Sequence, residues 1–136
     1  PDHRDTLAGI SQLGRLWIKQ GRWQEANQLM TDAVARASRT LGDDHTSTAT
    51  YRYRLGITQL ELGDPEQAEQ TLLAAYDAIE RRHGQDYVWA KRTATVLIDV
   101  YEALHRSTDA EAWRGRLDNE WLEHVARSRS QGMMYD

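Results

Sequence analysis

Cysteine is absent from the 136-residue chain, and only two prolines occur, one of them the first residue. Without thiols there is neither a disulfide framework nor a thiolate metal site, and the composition fits a reducing compartment. A cytoplasmic protein is the expectation. So little proline leaves long helices uninterrupted. Hydrophobic residues make up 40% of the chain, too many for disorder. They never form the run of about 18 that a membrane span requires. No cleavable leader pattern opens the sequence, and a first residue of Pro1 reads as a cut from a longer protein. The phosphate-cradling pattern Gly-x-x-x-x-Gly-Lys-Ser/Thr is missing, as are the glycine-rich dinucleotide fingerprint and any strand-like alternation. With 21 acidic and 17 basic side chains the net charge is -4, which argues against nucleic acid as the partner.

What the chain does have is a period of 42 residues. Gly21 falls on Gly63 and Ala26 on Ala68, and a further step reaches Ala110. Leu41-Gly42-Asp43-Asp44-His45 is answered by His83-Gly84-Gln85-Asp86-Tyr87, and His3 and Thr6 by His45 and Thr48. A fixed period of this size marks a solenoid, whose units bury their apolar faces against their neighbours. Within each unit the apolar spacing is helical. Leu7, Ile10, Leu13 and Trp17 form one face that Gly21 ends, and Ala26, Leu29, Met30, Ala33, Val34 and Ala37 form the next, which Gly42 ends. Asp64-Pro65 supplies an N-cap and a first-turn proline for the fourth helix. Ala110, Trp113, Leu117, Trp121 and Val125 predict one unbroken last helix from about Asp109 to Arg127, with no seventh, capping helix. The expected fold is therefore all-α, with three stacked antiparallel helical hairpins. The units cover about 1–42, 43–84 and 85–127, and 128–136 form a flexible, frayed tail.

Leu13-Gly14, Trp17, Gly21 and Ala26 together resemble the tetratricopeptide repeat, with Leu55-Gly56, Gly63 and Ala68 matching in the second unit and Leu97, Tyr101 and Ala110 in the third. The resemblance implies a right-handed α-solenoid. Its usual period is about 34 residues. The longer period here is similar to that of kinesin light chains and many bacterial regulatory proteins, where Leu-Gly, two variable residues, His-Pro and Thr make the connector. Pro1-Asp2-His3-Arg4-Asp5-Thr6 looks like that connector cut after its glycine. The third unit departs from the pattern, with Ile98 where glycine stood, Leu117 where Ala33 and Ala75 stood, and His105 in place of the turn glycine. An atypical terminal repeat is expected of the end of an array. The chain thus reads as the C-terminal part of a larger regulatory protein, in bacteria often one with a serine/threonine kinase domain.

The resemblance implies that the first helix of each pair lines a concave binding surface. The partner-binding candidates carried over are Ser11, Gln12, Arg15 and Lys19 from the first unit, with Ile18 beside them. The second supplies Tyr53, Arg54, Ile57 and Glu61, and the third Arg92, Thr95, Val96, Asp99 and Glu102. The functional reading is a protein-interaction scaffold whose Arg15, Lys19, Arg54 and Arg92 meet an acidic protein or peptide. The alternative for these residues is a solvated helix face. Gln12, Arg54 and Val96 stand where peptide-binding members often have asparagine, so an asparagine ladder along the peptide backbone is not expected. Self-association is the competing function, a homodimer formed through Leu7, Ile10 or Met133-Met134. His3 and His45 lie a whole repeat apart and read as connector packing, not as metal ligands. Asp99 and Glu102 share a helical turn, but no nucleophile or orienting partner accompanies them. No enzyme, no metal and no cofactor are expected. Trp23 and Trp89 sit at helix starts, and Trp89 is the better contact candidate of the two.

Overall fold

A computed structural model describes residues 4–135, and among these there are seven helices and no strand. The first two pairs are α1 (Arg4–Lys19) with α2 (Trp23–Leu41), and α3 (Thr46–Glu61) with α4 (Pro65–His83). The third is α5 (Val88–Ala103) with the short α6 (Ser107–Arg114), after which α7 (Asn119–Ser130) follows. Each helix packs on the next from α1 to α6. In addition α1 touches α3 and α3 touches α5, whereas no comparable contact joins α2 to α4 or α4 to α6. The first helices therefore stand closer together than the second ones, so the stack curves toward α1, α3 and α5.

Local chemistry explains the turns. Gly21, Gly63 and His105 lie one period apart, and all three have positive φ, 72°, 90° and 57°. At each the helix closes with the same pair of bonds. The residue after the turn donates to the carbonyl five back, as in Asp64 to Gln59 at 2.9 Å and Arg106 to Tyr101 at 2.8 Å. This Schellman closure needs the left-handed conformation, which costs nothing for glycine and strains a residue with a Cβ. His45 caps α3 by accepting the Ser47 N–H on Nδ1 at 3.0 Å, so it is a connector residue. His3 and the connector Pro1-Asp2-His3 lie outside the described residues. Asp64 caps α4, accepting from the Gln67 N–H at 3.2 Å, with Pro65 in the first turn.

Packing between the helices of a pair depends on small residues. Ala26, Ala33, Ala37, Ala68 and Ala75 are fully buried. A Cβ placed on Gly56 would lie 2.5 Å from Leu72 Cγ and 2.6 Å from its Cδ2, so α3 and α4 approach as closely as a bare backbone permits. The contact falls on Leu72 of α4. At Gly14 the corresponding neighbour is the terminal methyl of Met30, 2.3 Å away. Leu13, Leu55 and Leu97 occupy one repeat position but are 37%, 9% and 0% exposed. Helices α3 and α5 each pack on a preceding pair, and among the described residues α1 has none before it. Leu13 therefore does not fill an interval between pairs. Buried hydroxyls are satisfied locally: Thr58 donates to Leu55 O at 2.7 Å and Thr93 to Trp89 O at 2.7 Å.

The unbroken last helix predicted over Asp109–Arg127 is two helices. Helix α6 stops at Arg114, and the chain turns through Gly115-Arg116-Leu117 before α7 starts. Gly115 weakens helix continuation. Asp118 then caps α7, accepting the Trp121 N–H at 2.7 Å. Leu117 stays buried within the turn, so the apolar spacing survives a break in the backbone. Nor is the segment from Ser128 wholly a frayed end: α7 continues to Ser130, and Tyr135 packs against the main core cluster.

Gly56→Ala is expected to lower stability by about 1–3 kcal/mol despite its better helix propensity, because Leu72 is enclosed and cannot retreat. Gly14→Ala should cost less than about 1 kcal/mol, since the end of a methionine can swing aside. Equal urea midpoints for the two variants would contradict this packing. His105→Gly should raise stability by about 0.5–1 kcal/mol by relieving the left-handed strain, measured the same way; a lower midpoint would show that the imidazole makes a compensating contact.

Candidate functional site: a cationic, aromatic groove on the inner face

The curvature of the stack places one face of α1, α3 and α5 around a cavity of about 370 Å³. Helical spacing of three and four residues brings Arg15, Ile18 and Lys19 to it from α1, and Tyr53, Arg54, Ile57 and Glu61 from α3. Helix α5 contributes Trp89 and Arg92, and Trp23 at the start of α2 closes one end. Of the partner-binding candidates, Arg15, Lys19, Tyr53, Arg54, Ile57, Glu61 and Arg92 line this cavity, with Ile18 beside them. Ser11 stands just beyond it as the acceptor of a 2.6 Å hydrogen bond from Arg54. Gln12 is exposed and does not line the cavity. Asp99 faces α7 instead.

Three guanidinium groups dominate the chemistry. The Arg54 cation lies 5.5 Å from the centre of the Trp89 ring and the Arg92 cation 4.8 Å from it, while Tyr53 meets Trp89 edge-on at 5.7 Å. An indole face attracts cations through its quadrupole, so Trp89 holds two arginines on one aromatic platform. Among the described residues no carboxylate lies within ion-pair distance of Arg15, Arg54 or Arg92. Burial pulls the Arg54 guanidinium below its usual range, and the like charges of Arg15 and Arg92 pull the same way, against the phenols of Tyr53 and Tyr51. The Arg92 Nε is buried without a hydrogen-bond partner. An arrangement of this kind gains from any anion that enters it.

The third unit's share of the inner face is covered. Arg129 of α7 grips Asp99 through two hydrogen bonds of 2.9 and 2.6 Å, and Trp121 donates its indole N–H to Thr95 at 2.9 Å. Burial pushes the Asp99 carboxyl up, and Glu102 and Glu61 add to it; together they outweigh the opposing pull of Arg129. Burial works against the Arg129 charge as well, but Asp99 more than offsets it and the guanidinium is raised. The asymmetry follows exposure, since the Asp99 side chain is the more enclosed of the two. Beyond α7, Gly132, Met133, Met134 and Tyr135 also line the cavity.

Trp23 and the C-terminal segment were not among the candidates for the concave surface. Trp89 carried a readable signal, an aromatic one turn before Arg92 on the same face. The segment carried none, because nothing in Gly132-Met133-Met134-Tyr135 has a helical or strand period.

Curved stacking of helical hairpins around an inner face defines a helical-repeat scaffold. A family model described as tetratricopeptide repeat matches residues 5–81, more than half of the chain and nearly the whole of the first two units. The chain belongs to the tetratricopeptide repeat family, a class of non-catalytic scaffolds that generally mediate protein–protein interactions. The match ends before the third unit, where Ile98, His105 and Leu117 depart from the pattern. No curated protein matches the chain. Among the described residues no helix is long and apolar enough to cross a membrane, and no three metal-ligating side chains cluster.

Proposed function

We propose that this chain is a protein-interaction scaffold that binds an acidic peptide segment in the groove between α1, α3 and α5. The observation that carries the reading is Arg54 and Arg92 on Trp89, with Arg15 lining the same cavity, without a carboxylate partner among the described residues. Cations held together in a partly buried site cost stability, and a peptide carboxylate in the groove offsets that cost through charge-assisted, bidentate hydrogen bonds. The repeats belong on this reading to the longer, kinesin-light-chain-like variety, within a larger cytoplasmic regulatory protein, and the scaffold has no catalytic role of its own. A second reading is self-association through the outer face of α1. Leu13 and Leu16, 37% and 49% exposed, favour it. Leu7 does not, because it is buried at 1%. A mass measurement over a range of concentrations separates the two.

A labelled hexaglutamate peptide should bind at low salt and weaken as salt rises. Arg54→Ala, at the centre of the groove, should lose about 2 kcal/mol of affinity, as expected of a desolvated anchor. Lys19→Ala, at the rim, should lose less than about 1 kcal/mol. Fluorescence anisotropy reads both, and equal affinities for wild type and Arg54→Ala would remove the basic-groove reading.

A further inference from the structure

We infer that residues 132–135 are a resident pseudo-ligand of the groove, and that the partner is an acidic peptide carrying a tyrosine, which takes the place of Tyr135. The inference rests on the groove reading above and adds to it what fills the groove beside Trp23 and Glu61.

The segment is aimed into the groove by a built turn. Helix α7 closes with the same bonds as the repeat turns: Gly132, at φ 85°, donates to Arg129 O at 3.0 Å and Met133 to Ser128 O at 2.9 Å. The chain is thereby sent back along α7. Arg129, while holding Asp99 with its terminal nitrogens, donates Nε to Met134 O at 3.2 Å and so ties the returning backbone to the inner face. The two methionines then lie largely exposed, at 39% and 48%, and Tyr135 does not. Its ring meets Trp23 edge-on at 6.3 Å, and its hydroxyl donates to the Glu61 carboxylate. Burial and Glu61 together hold that phenol far above its ordinary range, so it stays protonated as a donor.

The groove thus offers two chemically different sets of groups. Arg15, Arg54 and Arg92 with Trp89 recognise carboxylates. Trp23 presents an aromatic edge and Glu61 an acceptor, which together recognise a phenol. A carboxylate would be repelled by Glu61, and an aliphatic side chain would leave that carboxylate unsatisfied. Only a segment with both groups satisfies both sets. The segment is held by a few side-chain contacts and by no regular structure, the condition under which a local element opens at low cost. A partner therefore does not find an empty groove but competes for one already occupied, which lowers its apparent affinity by the fraction of chains that are closed.

The test uses the full chain and two labelled peptides, each with two aspartates on either side of a central tyrosine or alanine. Anisotropy should show the tyrosine peptide binding Tyr135→Ala at least about tenfold more tightly than wild type, with Tyr135→Phe between them. The alanine peptide should gain less than about threefold from the same substitution. Equal affinity of the tyrosine peptide for wild type, Tyr135→Phe and Tyr135→Ala would overturn the inference; the groove reading then stands if Arg54→Ala still weakens that peptide, and falls with it if no variant binds either peptide. Methyl NMR of wild type provides a readout independent of any substitution. On saturation with the tyrosine peptide the Met133 and Met134 signals should move to unstructured positions, and signals that stay in place while the peptide is bound would equally overturn it.

Discussion

The distance between paired helices governs everything else in this molecule. Where Gly56 faces Leu72 there is no room for a Cβ, and the alanines of α2 and α4 keep the remaining contacts equally close. Close pairing leaves the large side chains to fill the space between successive pairs, and that filling brings α1 to α3 and α3 to α5. The inner face is a consequence of that packing. Side chains one period apart, or a turn removed from it, point into a shared space because their helices are held in register.

That register has an energetic cost at the groove. Burial, with the like charges of Arg15 and Arg92 adding to it, lowers the affinity of Arg54 for a proton, and the Arg92 Nε goes without a partner. Folding alone gives no reason to keep such a cluster, since exposed or paired cations would be less costly. Trp89 and the hydrogen bond to Ser11 recover part of the cost. On the proposed groove reading, the remainder is offset when an anionic partner binds. Elsewhere the charges are conventional. Arg52 meets Asp43, Arg81 meets Asp44, and Arg106 meets Glu69, each at the surface between neighbouring elements.

The stacked pairs were legible in the sequence because the markers that set them are local. Gly21 and Gly63 announce left-handed turns, Asp64-Pro65 announces a helix start, and alanine at fixed intervals announces close pairing. The inner-face residues followed from the family resemblance, which assigns the lining to the first helix of each pair; spacings of three and four then keep each set on one helix face. What could not be read this way depended on competition or on return of the chain. The break between α6 and α7 hides because Leu117 keeps the helical spacing while sitting in a turn; the Asp118 cap, matched to the Trp121 N–H, was the available signal. The placement of Tyr135 against Trp23 and Glu61 joins residues with no common period. Sequence spacing carries no information on such a contact.

Five tryptophans are distributed so that they report on the central claim separately. Trp23 and Trp89 line the groove, whereas Trp113 meets Tyr76 edge-on away from it, 4.7 Å between ring centres. Their indole N–H signals can be followed one by one in a proton–nitrogen correlation spectrum during titration with an acidic peptide. Binding in the groove predicts that Trp23 and Trp89 shift together along one saturation curve while Trp113 stays fixed. A shift of Trp113 with Trp89 unmoved would place the partner outside the inner face and contradict the account.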